Sequence, residues 1–205
     1  MIAAEDVVLI LLAAGRSVRF GIPNKLEVPF LNKPLGLHVV TAFESIPFRQ
    51  RLVVTDGCTL DFASHGFDTV HNADPAAGMA QSVKLGVQRA KDEGAQAVMI
   101  ALADMPRVTA AHVYRMLDAA DSADAVVASS DGEKPSPPAL FGRGQFDFLL
   151  SLDGDAGARD LVKAGRHVVT APAELIEIDT PEDLARLQAL VHDPRAAITR
   201  ALTRR

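Results

Sequence analysis

LLAAGRSVRFGIPNK, Leu11 to Lys25, is the stretch around which this chain is organised. It grows out of an apolar run, Val7 to Leu12, that reads as a buried strand, and it breaks abruptly at Ala13-Ala14-Gly15. Arg16, Arg19 and Lys25 then follow within a short segment punctuated by glycine. Small residues let backbone N–H groups approach an anion closely, and the cations neutralise phosphate charge. A strand followed by a basic, solvated loop is the competing reading of the same residues.

Working outward, strand and helix signals alternate. Pro34 opens a segment with Leu35, Val39, Phe43 and Ile46 at helical spacing, closed by Pro47. RLVVT (51–55) and FDTVHN (67–72) read as strands, and NADPAAG leads into a helix with Met79, Val83, Val87 and Ala90 on one face and Ser82 and Gly86 beside them. AVMIAL (97–102) is unbroken and apolar, as a strand covered on both faces must be, and it runs directly into Ala103-Asp104-Met105-Pro106. Thr109 caps a helix carrying Val113, Met116, Leu117 and Ala120, and a strand follows at 125–129.

The polar, proline-containing stretch 129–143 reads as a loop returning through a short strand at 139–141. Helices are expected around Phe146 to Leu149 and across 154–165, and short strands at 167–170 and 175–178. Thr180-Pro181-Glu182-Asp183 is a helix start, with a capping hydroxyl, proline at the first position and acids in the first turn; that helix buries Leu184, Leu187 and Leu190. The alternation predicts an α/β fold, a mostly parallel sheet with helices on both faces. Ligands of such sheets sit outside the carboxyl ends of the strands. One domain is expected over 1–190, followed by a basic tail at 191–205.

A net charge of −5 over 205 residues argues against broad nucleic-acid binding, so any phosphate site is local. MIAAED carries acids where a secretory leader needs basic residues, and no apolar run approaches the roughly 18 residues of a membrane span. A soluble, cytoplasmic protein is expected. Cys58 is the only cysteine, which leaves no intrachain disulfide, Cys-rich zinc site or CxxC motif.

The opening loop has neither GxxxxGK[ST] nor GxGxxG. Asp104, however, follows a buried strand and so shares a sheet edge with Gly15. Beside a phosphate cradle a carboxylate is what Mg²⁺ requires, since it takes one or two carboxylates together with phosphate oxygens. Asp179 offers a second carboxylate before a helix, where a capping role is the alternative, and Asp155 in Gly154-Asp155-Ala156-Gly157 is a weaker third. Two carboxylates opposite a basic loop point to phosphoryl or nucleotidyl transfer. Ser17, Ser82 and Ser136 lack partners for a nucleophilic triad, and the six histidines show no base-like or metal-like spacing.

These residues carry a resemblance. LLAAGRSVRFG with Lys25 resembles the signature loop of the nucleotidyltransferases with a Rossmann-like fold, LxAGxSxRxG with a downstream Lys. LADMPRVT (102–109), NADPAAGMAQSVKLGV (72–87), PALFGR (138–143), GDAGAR (154–159) and IDTPEDL (178–184) are similar to the molybdopterin-nucleotide branch, most of all to molybdenum cofactor cytidylyltransferases. The resemblance implies a three-layer nucleotidyltransferase fold and Mg²⁺-dependent transfer of CMP from CTP to the terminal phosphate of molybdopterin, with pyrophosphate released. It implies that Leu12, Ala13, Ala14 and Gly15 lie against the nucleotide, that Arg19 and Lys25 neutralise the triphosphate, and that Gly78 and Ser82 stand near base and ribose. Asp104 and Asp179 match metal-binding acids, with Arg19, Lys25 and Asp104 as the catalytic set. An apo-molybdoenzyme is the expected recipient of the product.

Departures from the family pattern are Asn32 before a Pro-Leu pair, Ala103 before the metal Asp, and Ser136-Pro137-Pro138 ahead of PALF. Ala14 in place of Gly resembles the cytidylyl branch more than the guanylyl branch. The alternatives that stay open are GTP as donor, another phosphorylated acceptor such as a sugar phosphate, and a noncatalytic nucleotide-binding or cofactor-delivering chaperone.

Overall fold

The computed structural model describes residues 2–15, 18–21, 24–154 and 158–192. The apolar run Val7–Leu12 forms strand β1, and every one of its residues is buried. After a 3₁₀ turn at Lys25–Glu27, the two-residue strands β2 (Pro29–Phe30) and β3 (Lys33–Pro34) pair antiparallel. Pro34 therefore lies in this small ribbon, and helix α1 begins only at Leu37–Phe43. Strands β4 (Gln50–Thr55) and β5 (Asp68–His71), helix α2 (Met79–Asp92) and strand β6 (Ala97–Leu102) follow.

The second half contains α3 (Ala110–Ala119), β7 (Val126–Ser130), β8 (Pro135–Gly142), α4 (Phe146–Ser151), α5 (Arg159–Ala164), β9 (Arg166–Val169) and α6 (Pro181–His192). Seven strands form one sheet in the order β5-β4-β1-β6-β8-β7-β9. All pairings are parallel except those of β8, which runs antiparallel between β6 and β7. The expected return strand at 139–141 is thus the buried half of a longer strand. Its Ser136-Pro137-Pro138 portion pairs across a register shift at Ala128/Ser129, where prolines cannot donate to the ladder.

The strand expected at 175–178 is absent. Pro172–Leu175 is a 3₁₀ turn, and the segment beyond it is extended without joining the sheet. It is tied to the sheet's edge by Ile178 N–H, which donates to the Asp104 carbonyl at 3.0 Å. The helix expected over 154–165 is α5 alone; Asp155 and the tail from residue 193 onward lie outside the described residues. No helix among the described residues is long and apolar enough to cross a membrane.

Two apolar clusters hold the layers together. The larger joins β1, β4, β6 and β8 to the helices, and every residue of β6, like those of β1, is buried, which requires cover on both faces of the sheet. Helix α2 seats closely on β1 because Gly86 has no side chain: a Cβ there would lie 2.5 Å from Ile10 Cγ2. The smaller cluster packs Phe20, Phe30 and Leu35 from the segment after β1 against Ile178, Leu184 and Leu187. It fastens the two ends of the described chain to each other. The Thr180 cap reinforces it, with Asp183 N–H donating to Thr180 Oγ1 and the Thr180 N–H and hydroxyl donating to Asp183 Oδ2.

Candidate active site

The chain runs outward from β1 through β4 to β5, then crosses back to place β6 on the other side of β1. That reversal creates a crevice at the carboxyl ends of β1 and β6, where open α/β sheets bind ligands. Leu12 and Leu102 are register partners, and Ala103 N–H donates to the Leu12 carbonyl at 3.0 Å, so the small-residue loop and Asp104 emerge side by side. Ala13 stays buried, its N–H bonded to the Val54 carbonyl at 2.8 Å; Ala14 is half-buried and Gly15 exposed.

Lys25 opens the 3₁₀ turn capped by Asn24, whose side chain accepts from Leu26 N–H. Its ammonium reaches back across the crevice to lie 2.6 Å from Asp104 Oδ2 and 2.9 Å from Asp179 Oδ1. Arg19 Nη2 lies 3.0 Å from Asp179 Oδ2, with the Arg19 side chain 72% exposed. Four residues that the sequence proposed separately are therefore in one ion-pair network. The satellite cluster is the cause, because Phe20 and Ile178 pack together and carry Arg19 and Asp179 with them.

Glu177 is a member of this cluster that sequence reading missed. Residues 177–179 are extended, so side chains alternate: Ile178 turns into the apolar cluster while Glu177 and Asp179 line the crevice. One ligand atom from each of Asp104, Glu177 and Asp179 lies within 4.8 Å of the others. The signal in the sequence was the pattern acid, buried apolar residue, acid ahead of the helix start.

Burial, and after it the proximity of like charges, disfavours ionisation of Glu177 and Asp104. Burial, then the Asp104 and Asp179 charges, push the Glu177 carboxyl up to about 6, although part of the residue reaches solvent. Burial also raises Asp104, with Lys25 opposing it. For Lys25 burial acts downward, but the two carboxylates outweigh it and hold the ammonium above its ordinary value. The short contacts from Lys25 to both acids favour the ionised arrangement.

The crevice is a cavity of about 210 Å³ lined by Leu12, Ala13, Ala14 and Gly15 on one wall and the acids on the other. Met79, half exposed at the first turn of α2, also lines it. The sequence had assigned Met79 to the apolar face of that helix. As the first helical residue it projects to the cavity mouth, and Ala80, Val83, Val87 and Ala90 form the buried face. Gly78 takes the positive φ of 89° that starts the helix, and Ser82 is buried, its hydroxyl accepting from Asn72 Nδ2 at 2.9 Å. Neither Gly78 nor Ser82 is among the lining residues. Asp155 falls outside the described residues.

This geometry agrees with what comparison to known proteins finds. Residues 9–170 match the MobA-like NTP transferase domain. The chain belongs to this family. It is similar to the purine catabolism protein PucB of Bacillus subtilis (strain 168), 33% identical over 192 residues that cover 85% of this chain and 92% of that protein. It is 25% identical to the molybdenum cofactor guanylyltransferase of Shewanella pealeana over 197 residues, covering 90% and 94%. Among solved structures, the Rv0371c homologue from Mycobacterium sp. strain JC1 superposes with a TM-score of 0.74 at 28% identity, covering 91% of this chain and 97% of that one. As a MobA-like NTP transferase the protein is a nucleotidyltransferase, and the acidic cluster opposite its basic loop has the hard oxygen donors that suit a divalent cation.

Proposed function

We propose that this nucleotidyltransferase transfers CMP from CTP to the terminal phosphate of molybdopterin, releasing pyrophosphate, with Mg²⁺ as its cation. The observation that carries the reading is the convergence of Arg19 and Lys25 with Asp104 and Asp179 beside the Ala13-Ala14-Gly15 loop at the crevice. The cytidylyl choice rests on Ala14, which lines the cavity and carries the resemblance to the cytidylyl rather than the guanylyl branch. GTP is the second reading, favoured by the relative named as a guanylyltransferase.

The residues fit the cation that the reading needs. Asp104 Oδ1 is buried without a hydrogen-bond partner among the described residues, an unmet acceptor beside two further carboxylates. Asp104 and Asp179 would hold the ion. Bound there, it would supply charge neutralisation and Lewis acidity toward phosphate oxygens.

The protein's own contribution is positioning and electrostatics. The acceptor phosphate is already anionic near neutral pH, so attack on the α-phosphorus needs no strong base, and no histidine is among the described residues lining the cavity. What must be overcome is repulsion between two anions, which Lys25 and Arg19 offset once they turn from the carboxylates to the triphosphate. The cavity is smaller than the roughly 300–1,000 Å³ of sites that enclose a whole ligand. It suits a part of the nucleotide, with residues 12–15 along base and phosphates and the ribose extending beyond the lining toward the segment that holds Gly78 and Ser82. The catalytic domain spans 1–190 with 191–205 as an appended basic tail, and the product passes in the cytoplasm to an apo-molybdoenzyme.

The test is pyrophosphate release from CTP, GTP, ATP and UTP, each offered with molybdopterin. Release with CTP is expected; release with GTP alone overturns the cytidylyl reading. Asp104→Asn is expected to lose about a hundredfold or more of turnover with an unchanged circular dichroism spectrum. Near-normal release by that variant would remove Asp104 from the chemistry.

A further inference from the structure

We infer that Glu177 is a third ligand of the divalent-cation site, and that the three carboxylates together bind the cation before any nucleotide arrives. The inference rests on the proposed metal role of Asp104 and Asp179 and extends it to a residue outside that pair.

Four observations carry it. First, Glu177 is held in place by its neighbours: Ile178 is fully buried in the satellite cluster, and its N–H donates to the carbonyl of Asp104 itself. Second, alternation along the extended segment places Glu177 and Asp179 on the same side, facing the cavity. Third, the three ligand atoms fall within 4.8 Å of one another. Oxygens bound to Mg²⁺ at about 2.1 Å stand about 3.0 Å apart when adjacent and about 4.2 Å when opposite, so from separations of 4.8 Å or less the three carboxylates need to close by no more than about 1.8 Å at any pair. A glutamate with three rotatable bonds and a partly solvated carboxylate can make that movement.

The fourth is the charge balance. Among the described residues, Asp104, Glu177 and Asp179 set three negative charges against Lys25 and Arg19. With Asp104 and Asp179 alone, the two cations would already match the carboxylates, and a divalent ion would gain little without phosphate. Glu177 tips the cluster to a net negative charge, and the buried, unpartnered Asp104 Oδ1 gives that charge a fixed point of attachment. The site is then loaded with metal first, and the incoming triphosphate meets a neutralised wall.

Mn²⁺ is the probe, since hard oxygen donors accept it as they do Mg²⁺. The full chain, free of nucleotide, is titrated with Mn²⁺ while free aquo-Mn²⁺ is followed by electron paramagnetic resonance, and calorimetry repeats the isotherm. Glu177→Gln, which keeps the shape and removes the charge, is expected to raise the Mn²⁺ Kd about tenfold or more. Glu182→Gln, an exposed acid on α6, is expected to stay within about twofold of wild type. Glu177→Asp keeps the charge and shortens the reach, and should fall between.

Thermal unfolding of each variant shows whether it is folded. Wild-type affinity in Glu177→Gln, with binding lost in Asp104→Asn, overturns the role of Glu177 and leaves the two-aspartate site standing. Failure of the wild type to bind Mn²⁺ at millimolar concentration without nucleotide overturns the metal-first order as well. Because no nucleotide or acceptor is present, these outcomes are independent of whether CTP and molybdopterin are the substrates; that reading fails separately, in the pyrophosphate assay.

Discussion

Replacing Lys25 with methionine removes one charge and leaves a side chain of similar length. The ammonium lies 2.6 Å from Asp104 and 2.9 Å from Asp179, with 16% of the Lys25 side chain and 14% of that of Asp104 exposed. At an effective dielectric of about 20 each contact is worth roughly 6 kcal/mol of gross Coulomb energy, most of it cancelled by the cost of taking the ions out of water. Deleting one partner leaves the acids facing each other in a poorly hydrated crevice, and such deletions cost about 3–5 kcal/mol.

Urea unfolding in EDTA at pH 8 should therefore show Lys25→Met less stable than wild type by about 3 kcal/mol or more. The loss should shrink as the pH falls. Without Lys25 the folded-state pKa of Asp104, already raised by burial, moves further above its unfolded value. A carboxyl raised in the folded state contributes stability that is fully present below the unfolded pKa and is lost as pH rises through the folded pKa. The variant should thus lie closer to wild type at pH 5 than at pH 8, and Mg²⁺ in place of EDTA should restore more stability to Lys25→Met than it adds to wild type, the ion standing in for the ammonium. Pyrophosphate release should fall as well. Equal unfolding free energies for the two proteins at both pH values would refute the ion-pair account of this crevice.

Two further outcomes are expected. Arg19→Ala should lower kcat/KM for the nucleotide about tenfold without measurable change in the urea midpoint, because an ion pair with a side chain 72% exposed contributes little to folding; unchanged kinetics would make Arg19 a solvated loop residue. His112 is fully buried, its Nε2 within 2.8 Å of Ser129 Oγ and its Nδ1 accepting from Arg115, and burial followed by the Arg115 charge holds its pKa below the ordinary 6.5. The unfolded chain then takes up a proton first, so stability is fully present above about pH 6.5 and falls as pH drops toward the folded pKa. That slope should be smaller in His112→Gln, and identical slopes would show that His112 does not titrate differently on folding.

The parts of this protein visible in its sequence are those determined within a few residues. Val7–Leu12 and Ala97–Leu102 read as doubly covered strands because every position is apolar, and both are buried throughout. Thr109 and Thr180 read as caps because the hydroxyl and the amides it serves are three residues apart, and both make those bonds. That Asp104 shares an edge with Gly15 also followed, since a strand's end decides which rim of the sheet its next residue occupies.

What only the tertiary structure decided depends on distant segments meeting. The antiparallel course of β8 is invisible in PSPPALFG, because apolar residues give no strand direction. The course of residues 176–179 is a product of packing: Ile178 lies in the apolar cluster with Phe20 and Leu35, and its N–H bonds to the Asp104 carbonyl. Lys25 and Asp179 are 154 residues apart, and their contact exists because that apolar cluster closes between them. Glu177 entered the crevice by the same route. Local chemistry chose the strands, caps and small-residue loop; burial of a few apolar side chains from opposite ends of the chain chose which charges would face one another.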